Sequence, residues 1–220
     1  MDFNKLLLKI AKNEQLTPQE LDDLSRYGTE TQQRNSFLAG NITPASLLKI
    51  AFPVFPIYSE ILEKNTTSIL VNIPSNANHL LIMGSVRTNR AASYNDGFIG
   101  RFNGDSGGNY REVYDGAQNT TQIAGQTAAQ TFFGVSVTTA ESATAGSFGG
   151  FFLFVPHIRS STWKQTLRIS GTSQYGATDM FDIVTSCHWQ STEKIQDITF
   201  SSENSADILA GSLLSVYGII

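Results

Sequence analysis

The 220-residue chain has a single cysteine, Cys187. No intramolecular disulfide and no multi-cysteine zinc site can therefore be built from it. Charge is scarce too: Asp, Glu, Lys and Arg make up 15% of the chain, against roughly 25% in an average domain. Positive charge is the scarcer sign, with 15 basic and 19 acidic residues and a net charge of −4, so the chain lacks the cationic surface that nucleic-acid phosphates require. No run approaches the roughly 18 apolar residues of a membrane span. Lys5, Lys9 and Lys12 interrupt the apolar N-terminal stretch, which predicts no signal peptide. The expectation is a soluble chain made in a reducing cytoplasm, with neither nucleic acid nor membrane as a partner. A hydrophobic content of 40% is too high for a disordered chain, and the length suits one domain with an appendage, or two small ones.

The chain changes character near residue 57. Pro18, Pro44, Pro53 and Pro56 precede it, but of the 18 glycines only Gly28 and Gly40 do. Phe3, Leu6, Leu7 and Ile10 recur at helical spacing and share one face. Thr17-Pro18-Gln19-Glu20 reads as a capping box with proline at the first helical position. Leu21 and Leu24 continue that helix, and Gly28 is placed to end it. A third helix is expected over residues 30–39 and a short fourth after Thr43-Pro44. Helices this short do not hold in isolation, so residues 1–56 must pack on protein, either as a cap on the chain's own β-domain or as an arm on a neighbour. The prolines of Phe52-Pro53-Val54-Phe55-Pro56 stiffen an extended connector and favour the arm.

From residue 66 the period becomes that of strands. Nine are expected: Ser68–Ile73, His79–Arg87, Phe98–Asn103, Phe132–Thr138, Gly149–Val155, Thr162–Ile169, Met180–Trp189, Ile195–Ser201 and Leu213–Ile219. Asn103-Gly104 and Asn95-Asp96-Gly97 carry hairpin-turn chemistry. Without strand–helix alternation, a parallel sheet is excluded in favour of an antiparallel sandwich, with a jelly roll the natural architecture for this strand number. The expected organisation is a helical arm and connector over 1–56 and a β-sandwich over 57–220.

The charge deficit has an address. Glu141 is the single formal charge in residues 116–158, which also hold Phe132, Phe133, Phe148, Phe151, Phe152 and Phe154. Gly116–Thr131 shows no clear period and reads as a long loop. It is either a flexible surface loop or, with its flanking strands, a subunit contact, because interface cores lose charge and gain aromatics. The second reading nominates Phe132, Phe133, Phe148 and Phe151 as interface residues.

Catalytic constellations are hard to assemble. Gly104-Asp105-Ser106-Gly107-Gly108 matches the nucleophile loop of chymotrypsin-like proteases, and His79, Asp96 and Ser106 even fall in that order. Only 27 residues separate His79 from Ser106, too few for the intervening barrel, so the segment reads as a glycine-rich turn. Cys187 and His188 are adjacent and must face opposite sides of a strand. The histidines His79, His157 and His188 share no metal-ligand spacing. Glu112, Asp115, Asp179 and Asp182 are available for a carboxylate pair, but no spacing joins them. The expectation is no enzyme, no metal and no cofactor.

Thr66-Thr67-Ser68-Ile69, the run Arg101-Phe102-Asn103-Gly104-Asp105-Ser106-Gly107-Gly108-Asn109-Tyr110, Ile195-Gln196-Asp197-Ile198-Thr199-Phe200 and Ala210-Gly211-Ser212-Leu213-Leu214-Ser215-Val216-Tyr217-Gly218-Ile219 form a further set of segments. Together they resemble a module on the virions of tailed bacteriophages. The resemblance covers about residues 57–220. It implies a trimeric jelly roll displayed on a particle, as a capsid cement or decoration protein, a head fibre, or a tail-fibre or baseplate adhesin. It also implies a plain turn at the glycine-rich segment. The expected partners are two further copies of the chain and a major capsid or other virion protein, docked through Phe3, Leu6, Leu7, Ile10, Leu21, Leu24 and Phe37. The expected location is the capsid exterior. An adhesin is the alternative, with Tyr94, Tyr110, Tyr114 or Tyr175 stacking on host sugars.

Overall fold

A computed structural model describes residues 54–170, 173–174 and 180–220, together with Thr17. The expected arm, with Phe3, Leu6, Leu7, Ile10, Leu21, Leu24 and Phe37, lies outside the described residues, as does Tyr175. The account below concerns the unit Pro56–Ile220 and the strand that leads into it.

Thirteen strands and no helix occur among the described residues. They are β1 (Val54–Ile61), β2 (Ser68–Asn72), β3 (His79–Val86), β4 (Asn95–Phe102), β5 (Tyr110–Gln118), β6 (Thr121–Gln130), β7 (Phe133–Thr139), β8 (Gly149–Val155), β9 (Lys164–Ser170), β10 (Ser173–Gln174), β11 (Met180–Trp189), β12 (Asp197–Ser202) and β13 (Leu213–Ile219). The larger sheet runs β1-β13-β3-β8-β9-β11-β5-β6, with β10 paired to β11; the smaller runs β2-β12-β4-β7. The registered pairings in both are antiparallel.

Alternation explains the layering. In β2, Ile69 and Val71 point inward and Leu70 outward; in β12, Ile198 and Phe200 are buried. The two sheets meet through aromatic rings. Phe98 of β4 lies 5.6 Å from Phe151 of β8, and Phe102 lies 5.3 Å from Trp189 of β11. Phe102 also stacks on Phe133 at 4.3 Å. Each such side chain, fully buried, contributes about 1.5–3 kcal/mol, and the result is a β-sandwich core closed at this end by rings rather than by branched aliphatics.

All nine expected strands are present, but four more join them. β1 occupies the end of the expected connector. β5 and β6 replace the expected loop at 116–131: a two-residue turn at Asn119-Thr120 joins them, with Asn119 at φ 54°. Their period is faint over residues 116–130 because Gly, Ala, Thr and Gln blur the contrast between inward and outward positions. The second expected hairpin turn is also corrected. Asn95, Asp96 and Gly97 begin β4, and Asp96 is a buried strand residue. The first expected turn is real: Asn103 and Gly104 both have positive φ, and the Asp105 N–H donates to the Phe102 carbonyl at 2.9 Å. It joins β4 of one sheet to β5 of the other, so it turns a corner between layers rather than closing a hairpin.

Candidate functional site

The most extensive feature is the outer face of the larger sheet. Register aligns Tyr217, Leu81, Phe154, Leu167, Ser186 and Val113 as one row across β13, β3, β8, β9, β11 and β5. A parallel row includes Met83, Phe152 and Val184. Val113 is 60% exposed, Leu167 48%, Val184 45% and Phe152 39%. Large apolar side chains thus recur on six adjacent strands of one face, interrupted by Ser186 between Leu167 and Val113, and exposed apolar patches on folded proteins mark contact surfaces. Asp115, Asp182, Arg111 and His188 sit toward one end of it, on β5 and β11.

This changes which phenylalanines are available for contact. Phe133 is fully buried and Phe151 is 6% exposed, so both belong to the chain's own core and cannot serve a subunit interface. Phe132 and Phe148 keep part of their surface, and the Arg101 guanidinium sits 6.0 Å from the Phe132 ring centroid. In Phe151-Phe152-Leu153-Phe154 the inward members are Phe151 and Leu153. The outward pair, Phe152 and Phe154, carries the surface. Choosing the outward phase from sequence requires knowing which side of β8 faces the core, and both sides are apolar.

A second feature is a cleft of about 350 Å³ where β6 and β7, the last strands of the two sheets, diverge. Phe132, Phe181 and Ile123 supply its apolar wall, and Glu112, Glu203 and Tyr114 its polar one. The Glu112 carboxylate accepts the Gly134 N–H at 3.0 Å. Burial, together with the like charges of Asp96 and Glu112, raises the pKa of Glu203 against the pull of Arg90. Thr127 Oγ1 lies buried in the wall without a hydrogen-bond partner among the described residues. Glu112 was a sequence candidate for a carboxylate pair; its companion, Glu203, was not, because 91 residues separate them and only sandwich closure brings them to one cleft.

The protease-like constellation is not assembled. The Asp96 carboxylate accepts hydrogen bonds from Thr88 at 2.9 Å, Ser202 at 2.7 Å and Asn204 at 2.7 Å. His79 Nδ1 accepts the His157 N–H at 3.1 Å, and burial, with His157 beside it, lowers the pKa of His79. Ser106 lies exposed in the glycine-rich turn. There, Asp105 takes hydrogen bonds from Gly107 N–H at 2.8 Å, Asn109 Nδ2 at 3.0 Å and Trp189 Nε1 at 2.6 Å. The turn is thus a structural staple between β4, β5 and β11.

The tyrosines nominated for sugars divide. Tyr94 is well exposed, Tyr114 lines the cleft, and Tyr110 is fully buried with its hydroxyl accepting the Phe102 N–H at 3.0 Å. Tyr110 therefore offers no stacking face. Cys187 is buried and His188 exposed, on opposite sides of β11. Among the described residues no three His, Cys, Asp or Glu side chains are grouped to hold a metal ion. Compared with protein-family models and with curated proteins, the sequence matches none.

Proposed function

We propose that this chain is a structural protein of a tailed-bacteriophage virion, a trimeric capsid cement or decoration protein that binds the outer surface of the shell and stabilises it. The observation that carries the reading is the apolar outer face of the larger sheet, a surface suited to protein contact. Strand order supports the jelly-roll form of the sandwich. The order β2-β12-β4-β7 opposite β3-β8-β5-β6 is that of a double Greek key, once the β9–β11 insertion between β8 and β5 and the added β13 and β1 are set aside. The likeness of the glycine-rich and C-terminal segments to phage virion modules gives the setting.

The mechanism is adhesion. Val113, Phe152, Leu167 and Val184 are each about half exposed, so covering them between copies of the chain contributes on the order of 1 kcal/mol apiece to a subunit contact. Three linked copies multiply a modest attachment through effective concentration. The chain's copy number in purified particles tests this function. Hundreds of copies per particle are expected, and a handful would sink it.

The second reading, a tail-fibre or baseplate adhesin, is favoured by the cleft. Carboxylates beside aromatic rings suit a sugar, whose hydroxyls donate to the acids and whose C–H faces stack on the rings. Glycan-array binding abolished by Glu203→Ala would favour it over the cement role.

A further inference from the structure

Four sheet edges bound the described sandwich: β1 and β6 end the larger sheet, β2 and β7 the smaller. An unpaired edge is a template for another strand, and folded proteins guard it with short length, charge, proline or covering contacts. Three of the four are guarded. β1 contains Pro56 and Glu60. β2 is only five residues long. β7 has its Gly134 N–H taken by the Glu112 carboxylate and its Thr139 carbonyl taken by the Thr88 N–H. β6 is the least guarded: it runs ten residues, Thr-Gln-Ile-Ala-Gly-Gln-Thr-Ala-Ala-Gln, without proline or charge, a bulge with Ala129 at φ 57° breaks only its end between Thr127 and Gln130, and among the described residues its strand pairing is with β5 alone.

We infer that β6 pairs antiparallel with β6 of a second copy of this chain across a twofold axis, continuing the larger sheet from one copy into the other. The register of the β5–β6 hairpin sets the geometry. With a two-residue turn closing it, antiparallel alternation directs the backbone groups of Gln122, Ala124 and Gln126 toward the free edge. The same three residues lie on the outer face, opposite Ala117, Asp115 and Val113. A twofold axis normal to the sheet keeps outer side chains with outer side chains, so these residues meet only their own kind. None carries charge, and no like-charge pair arises at any register of the self-pairing. A second copy also satisfies every free N–H and C=O of the edge, which contact with an apolar surface leaves unpaired at a cost.

This link is separate from the threefold of the proposed function. An apolar-face contact builds a trimer, and a β6 contact joins one such unit to the next. On a shell, alternating threefold and twofold links form a net, and that deepens the cement reading. The edge contact itself does not depend on the trimer.

Sedimentation of the full chain at micromolar concentration, alongside Ala124→Lys and Gln126→Lys, tests the inference. Both substitutions fall on exposed positions and place like charges against each other across the axis. The expected result is loss of the assembly built through β6, with unchanged circular dichroism and faster hydrogen exchange at the amides of residues 122, 124 and 126. A fall from an open network of trimers to single trimers upholds both links; a fall from dimer to monomer upholds the edge contact and removes the trimer. Unchanged mass in both variants, with those amides exchanging freely in the parent chain, overturns the inference. Binding of a strand from another protein to a parent chain that never self-pairs overturns it equally.

Discussion

Trp189 Nε1 donates a 2.6 Å hydrogen bond to Asp105 Oδ2, tying the glycine-rich turn to β11, the strand paired with β5 in the larger sheet. The same carboxylate accepts from Asn109 and Gly107. Burial opposes its charge, but these hydrogen bonds outweigh burial and hold its pKa below the ordinary carboxylate value. A depressed folded pKa adds stability above the unfolded value of about 4, and that stability is lost as the pH falls through the folded pKa. Asp105→Asn is expected to cost about 1–2 kcal/mol at neutral pH, discounted because the carboxylate stays partly in water. It also flattens the acid limb of stability against pH. Denaturant titration from pH 7 down to pH 2, followed by Trp fluorescence, checks both.

Arg87 is a buried guanidinium held by carbonyls rather than by an acid. It donates to Thr144 O at 2.7 Å, Ser147 O at 3.1 Å, Ala143 O at 3.0 Å and Glu141 O at 3.3 Å. The planar five-donor fork reaches all four, and an ammonium group cannot. Arg87→Lys is therefore expected to destabilise by at least about 2 kcal/mol, with new proteolytic cleavage between residues 141 and 147. Equal stability with an uncut loop contradicts the assignment.

Adjacent phenylalanines have opposite assignments. Phe151 packs against Phe98 in the core, whereas Phe152 lies on the outer face. Phe151→Ala is expected to cost about 3–5 kcal/mol. Phe152→Glu changes fold stability by no more than about 0.5 kcal/mol but weakens assembly. Thermal melts paired with sedimentation separate the two effects.

Gly84 is a further point of close approach. A methyl group there meets the Leu213 carbonyl of β13 and the Phe151 ring of β8, and the carbonyl belongs to backbone that cannot yield. Gly84→Ala is expected to destabilise by about 1–3 kcal/mol, measured by the denaturant midpoint. The Gly104→Ala substitution tests conformation instead of space: nothing lies near, but φ is +65°, so a smaller loss of up to about 1–2 kcal/mol is expected.

Much of the sandwich was legible in the sequence because β2, β4, β8, β11, β12 and β13 contrast large apolar residues with polar ones or with turn residues. β5 and β6 were not legible. Gly116, Ala117, Ala124 and Gly125 give no period that the eye or a moment can find, and their strand character follows from pairing. Asp96 misled in the opposite way: Asp-Gly signals a turn locally, but Thr88, Ser202 and Asn204 supply the hydrogen bonds that let a carboxylate sit in a strand. The exposed apolar face was half legible. Low charge over residues 116–158 pointed to a stretch that holds Phe152 and Phe154 of that face, but Phe133 and Phe151 are core, and Leu167, Val184 and Val113 lie outside the stretch. The carboxylates of the cleft could not be joined from sequence, because Glu112 and Glu203 approach only when β5 and the end of β12 are brought together by opposite sheets.

The most direct test of the central claim is electron microscopy of intact phage particles labelled with gold-conjugated antibody against this chain. The cement reading predicts gold distributed over the whole head. Gold confined to the tail tip would contradict it and transfer the chain to the adhesins.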